Sequence, residues 1–147
     1  EKFSPLINAR KETLMEKITF KNLIQTSRCV VLADGYYEWK RAEKNKTPFY
    51  ISREDKGLIF FAAIHQNNQF CIITKEATEN VSQIHHREPL IINQSQINNY
   101  LNVKKDAMEI LNSIKPPKLK FHEISKDVNN PANNDPSLIN PITNPNE

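Results

Sequence analysis

Glycine is nearly absent: the 147 residues hold only Gly35 and Gly57. A phosphate-cradling loop of the P-loop or dinucleotide-binding kind needs closely spaced glycines, so nucleotide binding of that type is excluded. Cysteine is equally scarce. Cys29 and Cys71 each lie inside an apolar, strand-like run, which suits reduced core thiols and offers neither a disulfide framework nor a metal site. The spacings CxxC and HExxH are missing, so no zinc and no cofactor are expected. No run of about 18 apolar residues and no basic-then-apolar leader occurs, which argues against a membrane span and for a soluble, intracellular, cytoplasmic protein. An initiator methionine is also missing. The chain starts at Glu1, as a fragment or a processed product would.

What is present suffices for one core. At 147 residues and 38% hydrophobic, the chain reads as a single domain spanning 1–147. The runs "RCVVLA", "YYEWK", "TPFYIS", "LIFFAAIH" and "FCIITKEA" are rich in Val, Ile, Phe and Tyr and are separated by turn-forming stretches. They read as antiparallel strands of a β-meander or barrel, with Asp34-Gly35 as a two-residue hairpin. Gly35 is expected to answer a backbone requirement, a positive φ or a bulge. After Thr78 the pattern turns helical: "TENVSQIHH", "SQINNYL" and "DAMEILNSI" predict short helices, with "EPLII" and "LKFHEI" as strands and Pro116-Pro117 as a stop. From Asp127 the remainder, 127–147, is Asn- and Pro-rich coil of the same domain. Residues 1–53 carry 11 Lys/Arg against 6 Asp/Glu, whereas residues 54–147 carry 9 against 11. That asymmetry hints at a polyanionic partner.

Three stretches could carry chemistry. In "RCVVLADGYYEWK" the apolar strand ends in Glu38 and Trp39. A carboxyl group partly withdrawn from water holds its proton more tightly, which makes Glu38 a candidate general acid or base; the alternative is an exposed carboxylate on the polar face of an alternating strand. In "IHHREP", His85 shares a helical face with Val81 and is a candidate proton shuttle, or else a core or capping histidine. His86 is the exposed neighbour, and Arg87 is an anion-binding candidate or a surface ion pair. In "NARKET", Asn8 offers an amide to a developing oxyanion and Arg10 a guanidinium suited to phosphate, with Glu12 and Thr13 as ordinary surface residues.

Taken in order, "NARKET", "RCVVLADGYYEWK", "TPFYI", "FAAIH", "IITKEAT", "IHHREPLII" and "VNNPANNDPSLINPI" resemble the SOS-response-associated peptidase family, whose members carry the SRAP domain. The resemblance implies an α+β fold: one domain with a twisted antiparallel, β-barrel-like sheet, short flanking helices and a basic groove. It also implies a partner, single-stranded DNA with abasic sites, joined covalently through an N-terminal cysteine. By the same resemblance Asn8, Glu38 and His85 match the family's active site, and Arg10 and Arg87 match arginines that hold the DNA backbone. Trp39 either stacks on a base or packs under the sheet, with packing ahead. The family's Met-Cys-Gly-Arg start is absent from this chain, and Glu88 stands where methionine is usual.

An N-terminal cysteine is a 1,2-aminothiol. Its amine can condense with the aldehyde of an opened abasic sugar, and its thiolate can then close a thiazolidine ring. Cys29 and Cys71 have no free α-amine and cannot replace it, so the chain as given is expected not to form the adduct. A non-catalytic strand-binding module using Arg10, Arg87 and Trp39 is the second reading. A thiol peptidase limited to self-cleavage is the third. A monomer is the expected state.

Overall fold

The Val-, Ile-, Phe- and Tyr-rich runs do form strands, but these divide between two sheets and do not close into a barrel. The computed structural model describes residues 7–142; Glu1 and residues 143–147 of the Asn/Pro-rich tail lie outside them. The first sheet has the order β1-β6-β5-β2, and β7 also pairs with β6. Its strands are β1 (Asn8–Arg10), β2 (Arg28–Ala33), β5 (Ile59–Gln66), β6 (Gln69–Glu76) and β7 (Arg87–Pro89). Strand β1 runs parallel to β6, and the other pairings are antiparallel. The second sheet is antiparallel, with the order β3-β4-β8, from β3 (Gly35–Ala42), β4 (Asn45–Arg53) and β8 (Leu119–Glu123).

Four short helices complete the α+β fold. In α1 (Ile18–Thr26) Phe20 and Ile24 are buried, the i, i+4 spacing that puts two side chains on one face. In α4 (Ala107–Ser113) the residues Ala107, Ile110 and Leu111 do the same, and Asp106 caps the start by accepting from the N–H of Glu109 at 2.9 Å. The helix expected over "TENVSQIHH" is one turn, α2 (Glu79–Ser82), with Val81 buried. Helix α3 (Ile97–Leu101) buries Tyr100. The tail is not featureless: Lys126–Asn129 and Pro136–Ile139 form 3-10 turns, each begun by a side-chain cap, from Ser125 and Asp135. Among the described residues, no helix is long and apolar enough to cross a membrane.

The main core lies between the helices and the first sheet, where Leu14, Ile24, Ile64, Ile73, Ile92 and Tyr100 are fully enclosed. Burying each such aliphatic side chain contributes about 1.5–3 kcal/mol. Two polar groups cross this apolar layer, and both are satisfied. The Tyr100 hydroxyl donates to the carbonyl of Ala63 at 2.6 Å. Arg28 donates to four carbonyls, those of Ile24, Tyr100, Asn102 and Lys105, at 2.6–3.1 Å. Its guanidinium therefore joins the end of α1, the end of α3 and the approach to α4. Cys29 and Cys71 are free thiols, and burial pushes both above the ordinary thiol range.

Asp34-Gly35 is not a hairpin. Strand β2 pairs with β5, and β3 pairs with β4, so this dipeptide is the corner where the chain leaves one sheet for the other. Gly35 has no positive φ. Its glycine is required by space: a Cβ would fall 2.6 Å from the backbone carbonyl of Ile51 and collide with the Tyr50 ring. A Gly35→Ala substitution is therefore expected to cost about 1–3 kcal/mol, the range for overpacking, read as a lowered midpoint in urea unfolding. An unchanged midpoint would mean that the corner has slack.

Candidate functional site

A cleft of about 240 Å³ opens between the two sheets. The first sheet supplies Asn8 from β1, Phe61 from β5, Ile72 and Thr74 from β6, and Arg87, Glu88 and Pro89 from β7; the second supplies Tyr36 and Glu38 from β3; His85 comes from the link after α2. Of the six residues singled out in the sequence, four meet here: Asn8, Glu38, His85 and Arg87. Arg10 and Trp39 do not line the cleft.

Strand alternation explains which side chains of β3 reach it. Residues two apart share a face, so Tyr36 and Glu38 face the cleft and Tyr37 and Trp39 take the opposite face. There Trp39 stands 6.4 Å from the Tyr37 ring, Tyr37 stands 6.0 Å from Tyr50, and Tyr50 stands 5.8 Å from His122, ring centre to ring centre. The indole N–H of Trp39 donates to Asn129 Oδ1 in the tail at 2.7 Å. On the cleft side, Glu38 Oε1 accepts from the backbone N–H of Trp39 at 3.0 Å.

The His85 ring is held by the backbone of Arg87, two residues on. The N–H of residue Arg87 approaches Nδ1 at 3.1 Å and the Arg87 carbonyl lies 3.2 Å from it. With Nδ1 accepting from that N–H, the ring proton sits on Nε2. His86 stacks on it at 4.5 Å and is exposed.

Arg87 is gripped by a residue that the sequence reading left on the surface. Glu12 accepts from Nη1 at 3.1 Å and from Nη2 at 2.8 Å, and Thr74 Oγ1 accepts from Nη2 at 3.1 Å. Glu12 also accepts from the backbone N–H of Glu76 at 3.3 Å. Nothing in "NARKET" reveals this, because the partner lies 75 positions along the chain. Arg10, exposed on β1, is in register with Thr74. Both arginines thus stand on strands that border β6.

Glu88, which stands where methionine is usual in the family, is buried, 3% exposed, paired with Lys75 Nζ at 3.0 Å and accepting from Thr78 Oγ1 at 3.2 Å. Among the described residues, two buried side-chain polar atoms lack a hydrogen-bonding partner, the Tyr36 hydroxyl and Arg87 Nε. Both belong to residues of the cleft. Burial, reinforced by the carboxylates of Glu88 and then Glu38, pushes the Tyr36 phenol far above its ordinary range, so it stays protonated. Together the cleft holds a carboxyl, an imidazole, an amide and a guanidinium, the groups for moving protons beside an anchored anion.

Hydrogen bonding to Arg87 draws the Glu12 carboxyl from an ordinary 4.5 down to about 2. A depressed carboxyl stabilises the fold fully above the unfolded value and loses that contribution as pH falls through the folded one. The acid limb between pH 4.5 and 2 should therefore flatten in Glu12→Gln, measured as urea midpoints against pH. The side chain is 46% exposed, so solvent screens the pair and the effect is modest.

The chain matches the family model described as SOS response associated peptidase (SRAP) over residues 1–131. It is 36% identical to the abasic site processing protein YedK of Escherichia coli over 151 residues, covering 94% of this chain and 68% of the relative. It is 34% identical to the abasic site processing protein YoqW of Bacillus subtilis, covering 91% of this chain and 66% of that protein. To the abasic site processing protein HMCES of Pongo abelii it is 31% identical, over 92% of this chain and 49% of the relative. A crystal structure of a protein from Bacteroides thetaiotaomicron superposes with a TM-score of 0.80 at 29% identity, covering 92% of this chain and 66% of the other. The chain spans about two thirds of the length of the bacterial relatives it matches. On the extent of these matches and the shared fold, the chain belongs to the SOS response associated peptidase family.

Proposed function

We propose that this protein recognises an abasic site in single-stranded DNA, with the sugar in the cleft between the sheets and the flanking phosphates on Arg10 and Arg87. The observation that carries the reading is the convergence of Asn8 from β1, Glu38 from β3 and His85 from the link after α2 on one cleft beside Arg87. The printed names of the relatives, abasic site processing proteins, point the same way.

In a complete protein bearing an N-terminal cysteine, the α-amine adds to the C1′ aldehyde of the opened sugar and water leaves, giving an imine. The thiolate then adds to the imine carbon, the nitrogen takes a proton, and a thiazolidine ring closes. Ring opening, loss of water and the final protonation each need a proton moved. Glu38 and His85 are the groups in the cleft able to do so, and Asn8 holds the reacting oxygen or the amine. Cys29 and Cys71 stand outside this chemistry: neither lines the cleft, and burial keeps both as thiols. A peptidase activity of the thiol type would draw on that same N-terminal cysteine.

Glu38→Gln, in the complete protein, should slow adduct formation by about 10²–10⁴-fold, the usual weight of general acid–base catalysis, with non-covalent affinity unchanged. Denaturing gels of timed reactions with an abasic single strand measure the first, and a native gel the second. Arg10→Ala should weaken binding and reduce the slope of log affinity on log salt by about 0.7, one phosphate contact on a single strand. Binding without any denaturant-stable adduct in the complete protein would favour the non-catalytic module instead.

A further inference from the structure

Two atoms in the cleft are buried without a partner, and phosphate binding by Arg87 accounts for only one of them. The other, the Tyr36 hydroxyl, is shielded from solvent and meets no hydrogen-bonding group among the described residues. Its ring is well placed. It packs edge-on against Phe61 at 5.8 Å and touches both smaller apolar clusters, one around Ile51 and Val81 and one around Ile59 and Ile91. A phenylalanine would make those same ring contacts. The hydroxyl therefore adds nothing to packing while bearing the cost of an unsatisfied buried group, about 1–3 kcal/mol for such groups in general. Buried polar groups are otherwise satisfied, and an exception beside a ligand-sized cleft points to a partner that arrives with the ligand.

The surroundings limit what that partner can be. Glu38 lies two residues along the same face of β3, and Glu88 lines the same cleft from β7. Two carboxylates disfavour an anion beside Tyr36, so a phosphate belongs with the arginines of the first sheet. The phenol stays protonated in this setting and serves as a donor to a neutral oxygen. An intact nucleotide carries a base nitrogen on C1′, whereas an abasic sugar carries a hydroxyl there, in equilibrium with an aldehyde.

From this geometry, and resting on the abasic-site reading above, we infer that the Tyr36 hydroxyl donates a hydrogen bond to the C1′ oxygen of the abasic sugar and is a specificity-determining residue of the cleft. It distinguishes an abasic site by the oxygen left behind, in addition to the missing base.

Tyr36→Phe in the 147-residue chain tests this, because it removes the hydroxyl alone. Equilibrium binding is measured to three otherwise identical single strands: one intact, one with a natural abasic site, and one with a tetrahydrofuran residue, which lacks the C1′ oxygen. The wild-type chain should prefer the natural site to tetrahydrofuran. The variant should lose about three- to tenfold in affinity for the natural site, the weight of one net hydrogen bond, and nothing for tetrahydrofuran. Its thermal midpoint should be unchanged or raised, since no protein partner is lost. Equal affinity of wild type and variant for the natural site would overturn the inference and leave the abasic-site reading standing. So would a lowered midpoint with losses equal on all three strands, which marks a structural hydroxyl. A wild-type chain that binds intact and abasic strands alike would overturn the reading and the inference together.

Discussion

At residue 35 the backbone passes so close to the Tyr50 ring and the Ile51 carbonyl that no side chain fits. That contact seats the start of β3 on β4 at the corner where the chain changes sheets. Everything the second sheet gives to the cleft follows within three residues. Tyr36 and Glu38 reach the cleft because strand periodicity alternates faces from a fixed starting point, and one residue of slippage would exchange them for Tyr37 and Trp39. The apolar strand β2 before the corner anchors the mount, and the close approach sets its phase.

Charge in the cleft is divided between the sheets. Strands β1 and β7, on either side of β6, carry Arg10 and Arg87, of which Arg87 lines the cleft, and β3 carries Glu38, whose Oε1 accepts from the Trp39 N–H. Other carboxylates nearby are already engaged, Glu12 with Arg87 and Glu88 with Lys75. The Glu12 pair leaves Arg87 oriented before any ligand arrives, since a guanidinium forked onto a carboxylate loses most of its rotational freedom. In the proposed reading a phosphate would meet an already oriented cation at Arg87, while Arg10 stands exposed on β1. Preorganisation of the first reduces the ordering cost of binding.

How much of this was legible in the sequence follows the range of each interaction. The strands and turns were readable because residue pattern and period are local, and so were the buried faces of α1 and α4. The family motifs pick out Asn8, Glu38, His85 and Arg87, which the fold brings to one cleft. The barrel-like single sheet was misjudged at one dipeptide: Asp-Gly between two strand-like runs has the signature of a hairpin, and whether the flanking strands pair with each other depends on β4 and β5, which follow later in the chain. Gly35 was flagged for its scarcity but for the wrong physical reason, because a steric demand set by Tyr50 and Ile51 leaves no trace in φ. Glu12, Thr74 and the orphaned hydroxyl of Tyr36 were invisible, since each depends on a group brought near only by folding. Trp39 could have been placed from the period of two alone, once Glu38 was assigned to the cleft.

The tail is fastened to the outer face of the second sheet by the bond from Trp39 to Asn129, by the bond from His122 Nε2–H to the carbonyl of Ile139 at 2.6 Å, and by a bridge between Ile124 and Pro141. Trp39 is the chain's single tryptophan, so all intrinsic indole emission originates at this seam. Its ring reports on the docking of the last described segment from one side of a strand whose other side forms the cleft. Fluorescence excited at the indole band is thus an optical gauge of β3 itself: release of the tail moves the emission to longer wavelength, and a disturbance transmitted through the strand from Glu38 reaches the same chromophore through a single peptide unit.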